Sequence, residues 1–370
     1  MKKISWLLIV IMILSITPSY GNEIPYTSAN GQAAIVMETE TGRVLFEKNS
    51  RERMPMASTT KIMTALLAIE NVDSEKFVKV APEAQGIEGS SIYLRANERV
   101  KMVDLLYGLM LRSGNDSATA IAIEVAGSVE KFAELMTLRA KELGANDTSF
   151  MNPHGLHHDD HYTTAYDLAL ITKEALKKPL FKKIVSTKFY VAESRDAEFK
   201  YFSNKNKILN TVEGGDGVKT GFTKKSGRCL VASATRGDMQ LIAITLNDGD
   251  WFNTTHKLLD DSFELFMPHT VFEKGEVIGV AKLNEGKRDE VNALVDSKIV
   301  LPVREEEKDR IQTVIDMPEN MEAPILKGQK LGKVSVYLED QLLATSDLIA
   351  EEGIERLTMK DKLLRFLRIQ

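Results

Sequence analysis

Cysteine is almost absent from this 370-residue sequence, in which Cys229 is the one example. A disulfide within the chain is therefore excluded, and a large packed core has to stabilise the fold. Internal repeats and low-complexity tracts are also missing. The composition, 43% hydrophobic and 27% charged, is ordinary for a globular protein and excludes disordered, collagenous and multi-span membrane proteins. The length exceeds the usual size of one domain and predicts two.

The apolar run near the N-terminus is too short to cross a membrane. Residues 6–16 follow two lysines and precede the small residues Ser19 and Gly21, a pattern that predicts a secretory signal peptide over residues 1–21. No cysteine lies directly after the run, which argues against lipid attachment at the mature N-terminus. Without this segment the chain has 349 residues with 46 basic and 53 acidic groups, a net charge of −7. Nucleic-acid binding is therefore not expected.

The hydrophobic pattern predicts an α+β fold. Residues 33–37 and 43–46 favour one β-hairpin, and residues 229–234 and 241–246 favour a second. The helices expected between the two hairpins span residues 56–69, 102–111, 117–126, 129–143 and 164–177. We expect the strands from both ends to form one antiparallel sheet, with the helices between them in the chain.

The composition changes near Pro268. Short β-prone runs separated by turn residues follow as far as residue 349 and predict a small all-β domain, after which the chain becomes helical and basic. The predicted organisation is a signal peptide at 1–21, the α+β domain at 22–268, the small β domain at 269–352 and an amphipathic helix at 353–370.

Two serines and two lysines form the candidate catalytic set. Ser58 and Lys61 open the first helix three residues apart, so their side chains share one face. A serine hydroxyl is a weak nucleophile until a base takes its proton, and a lysine is such a base only when burial and a second cation depress its pKa. Lys219, in Lys-Thr-Gly, can supply that cation, and Ser113, in Ser-Gly-Asn, supplies a second hydroxyl. Each tripeptide alone is unspecific, whereas the ordered set is informative.

The same three motifs occur in penicillin-binding proteins and class A β-lactamases, with Ser-Asp-Asn as the middle motif. This chain resembles the low-molecular-mass penicillin-binding proteins that act as serine-type D-alanyl-D-alanine carboxypeptidases. The resemblance covers nearly the whole mature chain and rests on residues 57–65, 113–118, 152–156, 164–169 and 216–223. It implies a penicillin-binding/β-lactamase-like domain, followed by the small all-β domain and the C-terminal amphipathic helix.

The resemblance implies catalytic roles for three residues. Ser58 would attack the carbonyl between the two terminal D-alanines and become acylated, with Lys61 as its general base. Ser113 would pass a proton to the departing D-alanine amine, and water would release the acyl group. The substrate-binding residues implied by the resemblance are Asn115, Lys219, Thr220, Gly221 and Phe222.

Each substrate-binding residue has an implied task. Asn115 would hold the peptide, and Lys219, which also tunes the local charge, would meet the terminal carboxylate together with Thr220. The backbone N–H groups of Ser58 and Phe222 would form the oxyanion hole. Some family members carry an arginine after the last strand, near that carboxylate, whereas residues 247–252 here include no basic residue.

The implied partners are the D-Ala-D-Ala end of peptidoglycan stem peptides and β-lactam antibiotics, with no cofactor or metal. The expected location is the extracytoplasmic face of the bacterial membrane or the cell wall. A third partner follows from the C-terminal helix, whose apolar and basic residues separate onto two sides. Leu363 and Leu364 lie on the side opposite Lys362 and Arg365, which is typical of a helix in the interface of an anionic membrane, although a packing helix shows the same pattern.

Three other functions remain open at this point. A β-lactamase needs a carboxylate base, and Glu142, four residues before Asn146, fits the Glu-x-x-x-Asn spacing. A zinc hydrolase could use the histidine-rich loop at 154–161. A non-catalytic wall-binding protein would have no use for the intact serine–lysine set. We expect Cys229, on a strand, to be a buried filler rather than a nucleophile.

Overall fold

The computed structural model describes residues 29–196 and 198–366. The predicted signal peptide and residues 367–370 of the predicted C-terminal helix lie outside the described residues. The helices are α1 (Lys61–Asn71), α2 (Met102–Tyr107), α3 (Asn115–Ala126), α4 (Val129–Glu142), α5 (Ala165–Leu176), α6 (Pro179–Ser186), α7 (Ile208–Thr211), α8 (Trp251–Leu265) and α9 (Met359–Phe366).

The strands divide between a larger and a smaller part of the chain. Those of the first part are β1 (Ala33–Glu38), β2 (Val44–Lys48), β3 (Phe77–Lys79), β4 (Arg99–Lys101), β5 (Phe189–Val191), β6 (Tyr201–Ser203), β7 (Gly215–Thr223), β8 (Gly227–Arg236) and β9 (Met239–Leu246). Those of the second are β10 (Met267–Phe272), β11 (Val277–Asn284), β12 (Glu290–Val295), β13 (Ile299–Val303), β14 (Ile311–Asp316), β15 (Asn320–Glu322), β16 (Lys330–Leu338) and β17 (Gln341–Ala350).

The main sheet has the strand order β2-β1-β9-β8-β7 and is antiparallel throughout. Hence the predicted sheet from both ends of the chain, and with it the α+β fold, is confirmed. Both faces of β1 are buried, with Ile35 in the core shared with α1 and α5, and Val36 in the core shared with α8. Strand β7 lies at the sheet edge, so one side of it remains open to the site described below.

Helices α3, α4 and α5 begin and end within two residues of the predicted limits, because local signals set those limits, whereas α1 begins at Lys61 after a 3-10 turn. The hydroxyl of Ser128 accepts a hydrogen bond from the backbone N–H of Lys131 and begins α4, and Gly144 follows that helix at a φ of +82°. The hydroxyl of Thr164 begins α5 in the same way, by accepting from the N–H of Asp167. Beyond the prediction, β3–β6 form two small hairpins.

The helix predicted over residues 102–111 differs from the structure. Helix α2 ends at Tyr107, and Gly108–Arg112 forms a π-helical turn whose end places Ser113 in the left-handed region at a φ of +64°. Apolar periodicity cannot distinguish the two kinds of helical turn, since both bury the same side chains. Such π-turns are often found at functional sites.

The second part of the chain is all-β, as predicted. Six strands form a sheet in the order β14-β16-β17-β12-β11-β15, with its own apolar core, and β10 pairs with β13. A buried ion pair joins the two parts, because Arg43 on the β1–β2 turn lies 2.6 Å from Glu307 and also contacts the carbonyl of Pro302. The exact domain boundaries stay a prediction.

Candidate active site

A short 3-10 turn, Ala57–Thr60, presents Ser58 at the N-terminal end of α1. The hydroxyl of Thr59 donates to the carbonyl of Met56 at 2.7 Å, and that of Thr60 donates to the carbonyl of Ala57 at 2.8 Å. Gly155 packs directly on this turn at a φ of +86°, and a Cβ there would lie 1.9 Å from the Ala57 oxygen. Only glycine fits at that position, so the 152–156 loop can close over the turn.

Lys61 is fully buried beneath the nucleophile turn. Its Nζ lies 3.0 Å from Ser58 Oγ, 2.7 Å from Asn115 Oδ1 and 2.6 Å from the carbonyl oxygen of His154. A neutral amine can donate to the two carbonyl oxygens and direct its lone pair at the Ser58 hydroxyl. This is the contact that a general base requires.

The environment favours that neutral form. Burial lowers the pKa of Lys61 well below its ordinary value, and the positive charge of Lys219 lowers it further. Lys219 is itself buried on β7, where its Nζ donates to the carbonyl of Thr220 at 2.8 Å. Burial, followed by the charge of Lys205, lowers the pKa of Lys219 to about 7. The two causes that the sequence argument required, burial and a second cation, are both present.

Replacing Lys219 with glutamine is expected to move the acidic limb of the kcat/KM profile to higher pH. Activity needs neutral Lys61, so it rises as pH increases through the pKa of that amine. Removing the Lys219 charge removes one cause that lowers this pKa, and the pKa then rises. The measurement is kcat/KM against pH. Lys207→Gln, which removes another lysine at the rim of the pocket, is the control. A limb that stays in place or moves to lower pH would contradict the electrostatic link.

Ser113 and Asn115 reach the same site from the π-turn and the start of α3. Ser113 lines the pocket beside Ser58. Asn115 is 4% exposed, and its side chain is already bonded, with Oδ1 accepting from Lys61 and Nδ2 donating to the carbonyl of Glu88 at 2.5 Å. These bonds hold the lysine amine in position, while the implied role of Asn115 in holding the peptide stays a prediction.

Strand β7 forms the opposite wall of the pocket. A Cβ on Gly221 would lie 3.0 Å from the backbone nitrogen of Ser58, so glycine lets the strand lie against the nucleophile turn. Thr220, Gly221 and the 62% exposed side chain of Phe222 line the pocket together with Ser58 and Ser113. The cavity has a volume of about 600 Å³. The structure thus places both predicted serines and the predicted residues Thr220, Gly221 and Phe222 on one pocket. Lys61 and Lys219 do not line it: Lys61 contacts Ser58 from beneath, and Lys219 is buried on β7.

Several residues at the pocket carry no sequence motif and were not predicted. They are Ser90, Lys205, Lys207, Arg228, Trp251 and Phe252. They come from separate segments of the chain that meet only in the folded protein. The sequence carried a local signal for one of these segments, because Asp116 directly follows the middle motif. The Asp116 carboxylate accepts hydrogen bonds from the N–H groups of Ile92 at 3.1 Å and Leu94 at 2.9 Å. Asp116 thereby fixes the segment that follows Ser90.

The residues of the two alternative sites make structural contacts. Glu142 is an exposed residue at the end of α4, where it pairs with Arg139 at 3.1 Å. His161 is buried, with Nδ1 accepting from the N–H of Met151 and Nε2 in contact with Thr60 Oγ1 at 2.8 Å. Over residues 29–196 and 198–366, no three His, Cys, Asp or Glu side chains form a group that could hold a metal ion. Burial raises the pKa of the Cys229 thiol to about 11, in agreement with a filler role.

Two family profiles match the chain. The family described as D-alanyl-D-alanine carboxypeptidase matches residues 21–250, and the penicillin-binding protein 5 C-terminal domain matches residues 266–356. D-alanyl-D-alanine carboxypeptidase DacF of Bacillus subtilis is 35% identical over 370 residues, covering 96% of this chain and 95% of the relative. DacC of Escherichia coli is 31% identical, with coverage of 89% and 85%.

Solved structures show the same architecture. Penicillin-binding protein 5 of Haemophilus influenzae superposes with a TM-score of 0.72 at 26% identity, covering 89% of this chain and 98% of that structure. A peptidoglycan synthesis regulatory factor (PBP3) of Streptococcus pneumoniae superposes with a TM-score of 0.78 at 23% identity, covering 89% and 100%, and supports the fold alone.

Proposed function

Because the chain belongs to the D-alanyl-D-alanine carboxypeptidase family of serine-type peptidases, we propose that it removes the terminal D-alanine from peptidoglycan stem pentapeptides. The reaction would proceed through an acyl-enzyme on Ser58 and would regulate cross-linking by consuming the pentapeptide. The observation that carries this proposal is the 3.0 Å contact between Ser58 Oγ and the buried amine of Lys61.

In the acylation step, neutral Lys61 takes the proton of Ser58 Oγ as the oxygen attacks the carbonyl carbon of the penultimate D-alanine. The backbone N–H groups of Ser58 and Phe222 would stabilise the oxyanion, since Ser58 N faces the edge strand β7. As the C–N bond breaks, Ser113 would pass the proton held by Lys61 to the departing amine, which leaves as D-alanine, and Lys61 would return to its neutral form. Water then attacks the ester carbonyl and returns free Ser58.

The structure favours this role over two alternatives. A β-lactamase would need the Glu142 carboxylate as its base. Glu142 pairs with Arg139 and is not among the described residues that line the pocket. A pure binding protein has no reason to bury a lysine amine against a serine hydroxyl, because burying that group costs stability. A β-lactam would acylate Ser58 as a substrate mimic and leave slowly.

The deciding experiment combines two measurements on the purified protein. Release of D-alanine from diacetyl-L-Lys-D-Ala-D-Ala tests the activity, and intact-protein mass spectrometry after a penicillin pulse, followed by peptide mapping, tests the position of the acyl group. We expect D-alanine release and one adduct on the peptide that contains Ser58. Rapid loss of the penicillin adduct would favour a β-lactamase, and loss of activity with a chelator would favour a metal hydrolase.

We further propose that the protein is exported and lies on the extracytoplasmic face of an anionic membrane through α9. In the described part of the chain, no helix is both long and apolar enough to span a membrane. On α9, Lys362 pairs with Glu285 and Arg365 lies 3.0 Å from Asp289, so these cations face the small β domain. Leu363 is 59% exposed. This orientation leaves apolar side chains available for a lipid interface.

Replacing Leu363 and Leu364 together with aspartate is expected to weaken binding to phosphatidylglycerol vesicles at least tenfold. Each buried leucine contributes about 1.5–3 kcal/mol, and an added carboxylate is repelled by the anionic surface. Vesicle sedimentation measures the bound fraction, and Leu342→Asp, at an exposed leucine on β17, is the matched control. Equal binding by the double variant and the control would reject the membrane role of α9.

A further inference from the structure

Strand β8 carries a guanidinium at the pocket rim to which the mechanism above assigns no role. Arg228 lines the same pocket as Ser58 and Thr220, and its cross-strand partner in the β7–β8 ladder is Phe222. Cross-strand partners point to one face of a sheet, and so do residues two apart on one strand. Thr220, Phe222 and Arg228 therefore share a face, and the ladder has no register shift between Gly217 and Thr223.

The guanidinium is held in place but keeps donors to spare. Its Nη1 donates to the carbonyl of Gly249 at 2.8 Å, and its Cζ lies 6.0 Å from the centre of the Trp251 ring. Within residues 29–196 and 198–366, this is the one hydrogen bond that the Arg228 side chain donates, and no carboxylate lies within ion-pair distance of it. An arginine has five N–H donors in a planar fork that matches a carboxylate, so several remain for a ligand.

A carboxypeptidase needs such a cation, because its substrate ends in a carboxylate. Lys219 is buried, and its Nζ is already bonded to the Thr220 carbonyl. Lys205 lies near Ser90, with 3.4 Å between Nζ and Oγ. Residues 247–252, which run from the end of β9 into α8, include no basic residue. Among the residues that line the pocket in the described part of the chain, Arg228 is thus the arginine on the sheet face that carries Thr220.

The strand register places Thr220 and Arg228 within reach of one ligand. Thr220 and Arg228 are diagonal neighbours across two antiparallel strands, because Thr220 lies two residues from the partner of Arg228. Such neighbours are about 7–8 Å apart. A substrate carboxylate that accepted from the Thr220 hydroxyl would lie between them, where an extended arginine side chain can reach its second oxygen.

We propose that Arg228, together with the Thr220 hydroxyl, binds the terminal carboxylate of the substrate and so makes the site specific for a free chain end. This assignment rests on the proposed carboxypeptidase function. Arg228 takes no part in bond breaking and acts on binding and orientation of the D-alanine that leaves. The rings of Trp251 and Phe252, 4.9 Å apart, stand beside the guanidinium at the same rim.

The test compares two peptides that differ only at the carboxyl end, diacetyl-L-Lys-D-Ala-D-Ala and its C-terminal carboxamide. Arg228→Gln is expected to lower kcat/KM for the acid peptide about 10- to 100-fold, the range for a hydrogen-bonded charge pair, and to leave the carboxamide nearly unchanged. Arg228→Lys, which keeps the charge without the fork, should recover part of the loss. Lys207→Gln, at another cation of the rim, should leave the ratio of the two peptides unchanged.

Each possible result supports or rejects the assignment of Arg228 as the residue that binds the carboxylate. An equal loss on both peptides would show that Arg228 only supports the fold, and an unchanged ratio in Arg228→Gln would overturn the assignment. A larger change of ratio in Lys207→Gln would move the carboxylate site to the other cation. If the unmodified protein released neither D-alanine from the acid peptide nor D-alaninamide from the carboxamide, the proposed function itself would fail, and that result is distinct from a failure in the variants alone.

Discussion

Ser58→Ala is expected to abolish both D-alanine release and penicillin labelling. Alanine leaves no oxygen to form the ester, so no acyl-enzyme can accumulate, and the rate should fall by on the order of 10⁴-fold or more. Among the described residues, the half-buried Ser58 side chain makes a single hydrogen bond, with Lys61. Its loss leaves the hydrogen bonds of Thr59 and Thr60 in the turn intact. Folding should therefore persist, and the loss should be one of chemistry.

Ser90→Ala is the matched control, because Ser90 lines the same pocket. We expect this variant to keep the penicillin adduct, with the label on the peptide that contains Ser58. Intact-protein mass spectrometry and thermal unfolding should be measured for both variants. Labelling of Ser58→Ala at another residue would mean that the nucleophile has been assigned incorrectly.

Lys61→Met is expected to slow acylation about 10²- to 10⁴-fold, the range in which a positioned general base contributes. Methionine fills a similar volume but cannot accept the Ser58 proton. The rate of adduct formation with penicillin isolates this step from hydrolysis of the acyl-enzyme. Since the same substitution removes the donor to Asn115 Oδ1 and to the His154 carbonyl, the unfolding midpoint has to be recorded beside the rate.

Lys207→Met provides the comparison for that variant, because it removes a lysine from the same pocket at its exposed rim. It should leave acylation within a few-fold of the unmodified protein. A Lys61→Met protein that is folded and acylated within tenfold of the normal rate would rule out this lysine as the base and require another proton acceptor for Ser58.

Residues close in sequence could be placed reliably before the structure was known. The hairpins, the limits of α4 and α5 and the pairing of Ser58 with Lys61 follow from periodicity, capping residues and helix geometry, all of which operate over a few residues. The prediction for 102–111 was wrong in detail because a π-turn after Tyr107 has the same apolar pattern as an α-helix. That turn places Ser113, so the error falls at the site.

The residues of the pocket rim could not be predicted from the sequence, because they come from segments that meet only in the folded chain. Arg228 and Lys205 belong to no motif, and their relation to Ser58 depends on strand register and on the path of the chain after β6. Similarly, the contact of the His154 carbonyl with Lys61 depends on how the 152–156 loop closes over the nucleophile turn, where Gly155 alone leaves room.

The amino-acid sequence by itself determined which chemical groups are available, in what order, and that Ser58 and Lys61 lie on one helical face. Only the tertiary structure decided that Lys61 is a buried amine with a lowered pKa, because burial and the charge of Lys219 act through space between residues far apart in the chain. The same holds for Arg228, which becomes a candidate for carboxylate recognition only when antiparallel pairing sets it diagonally across from Thr220.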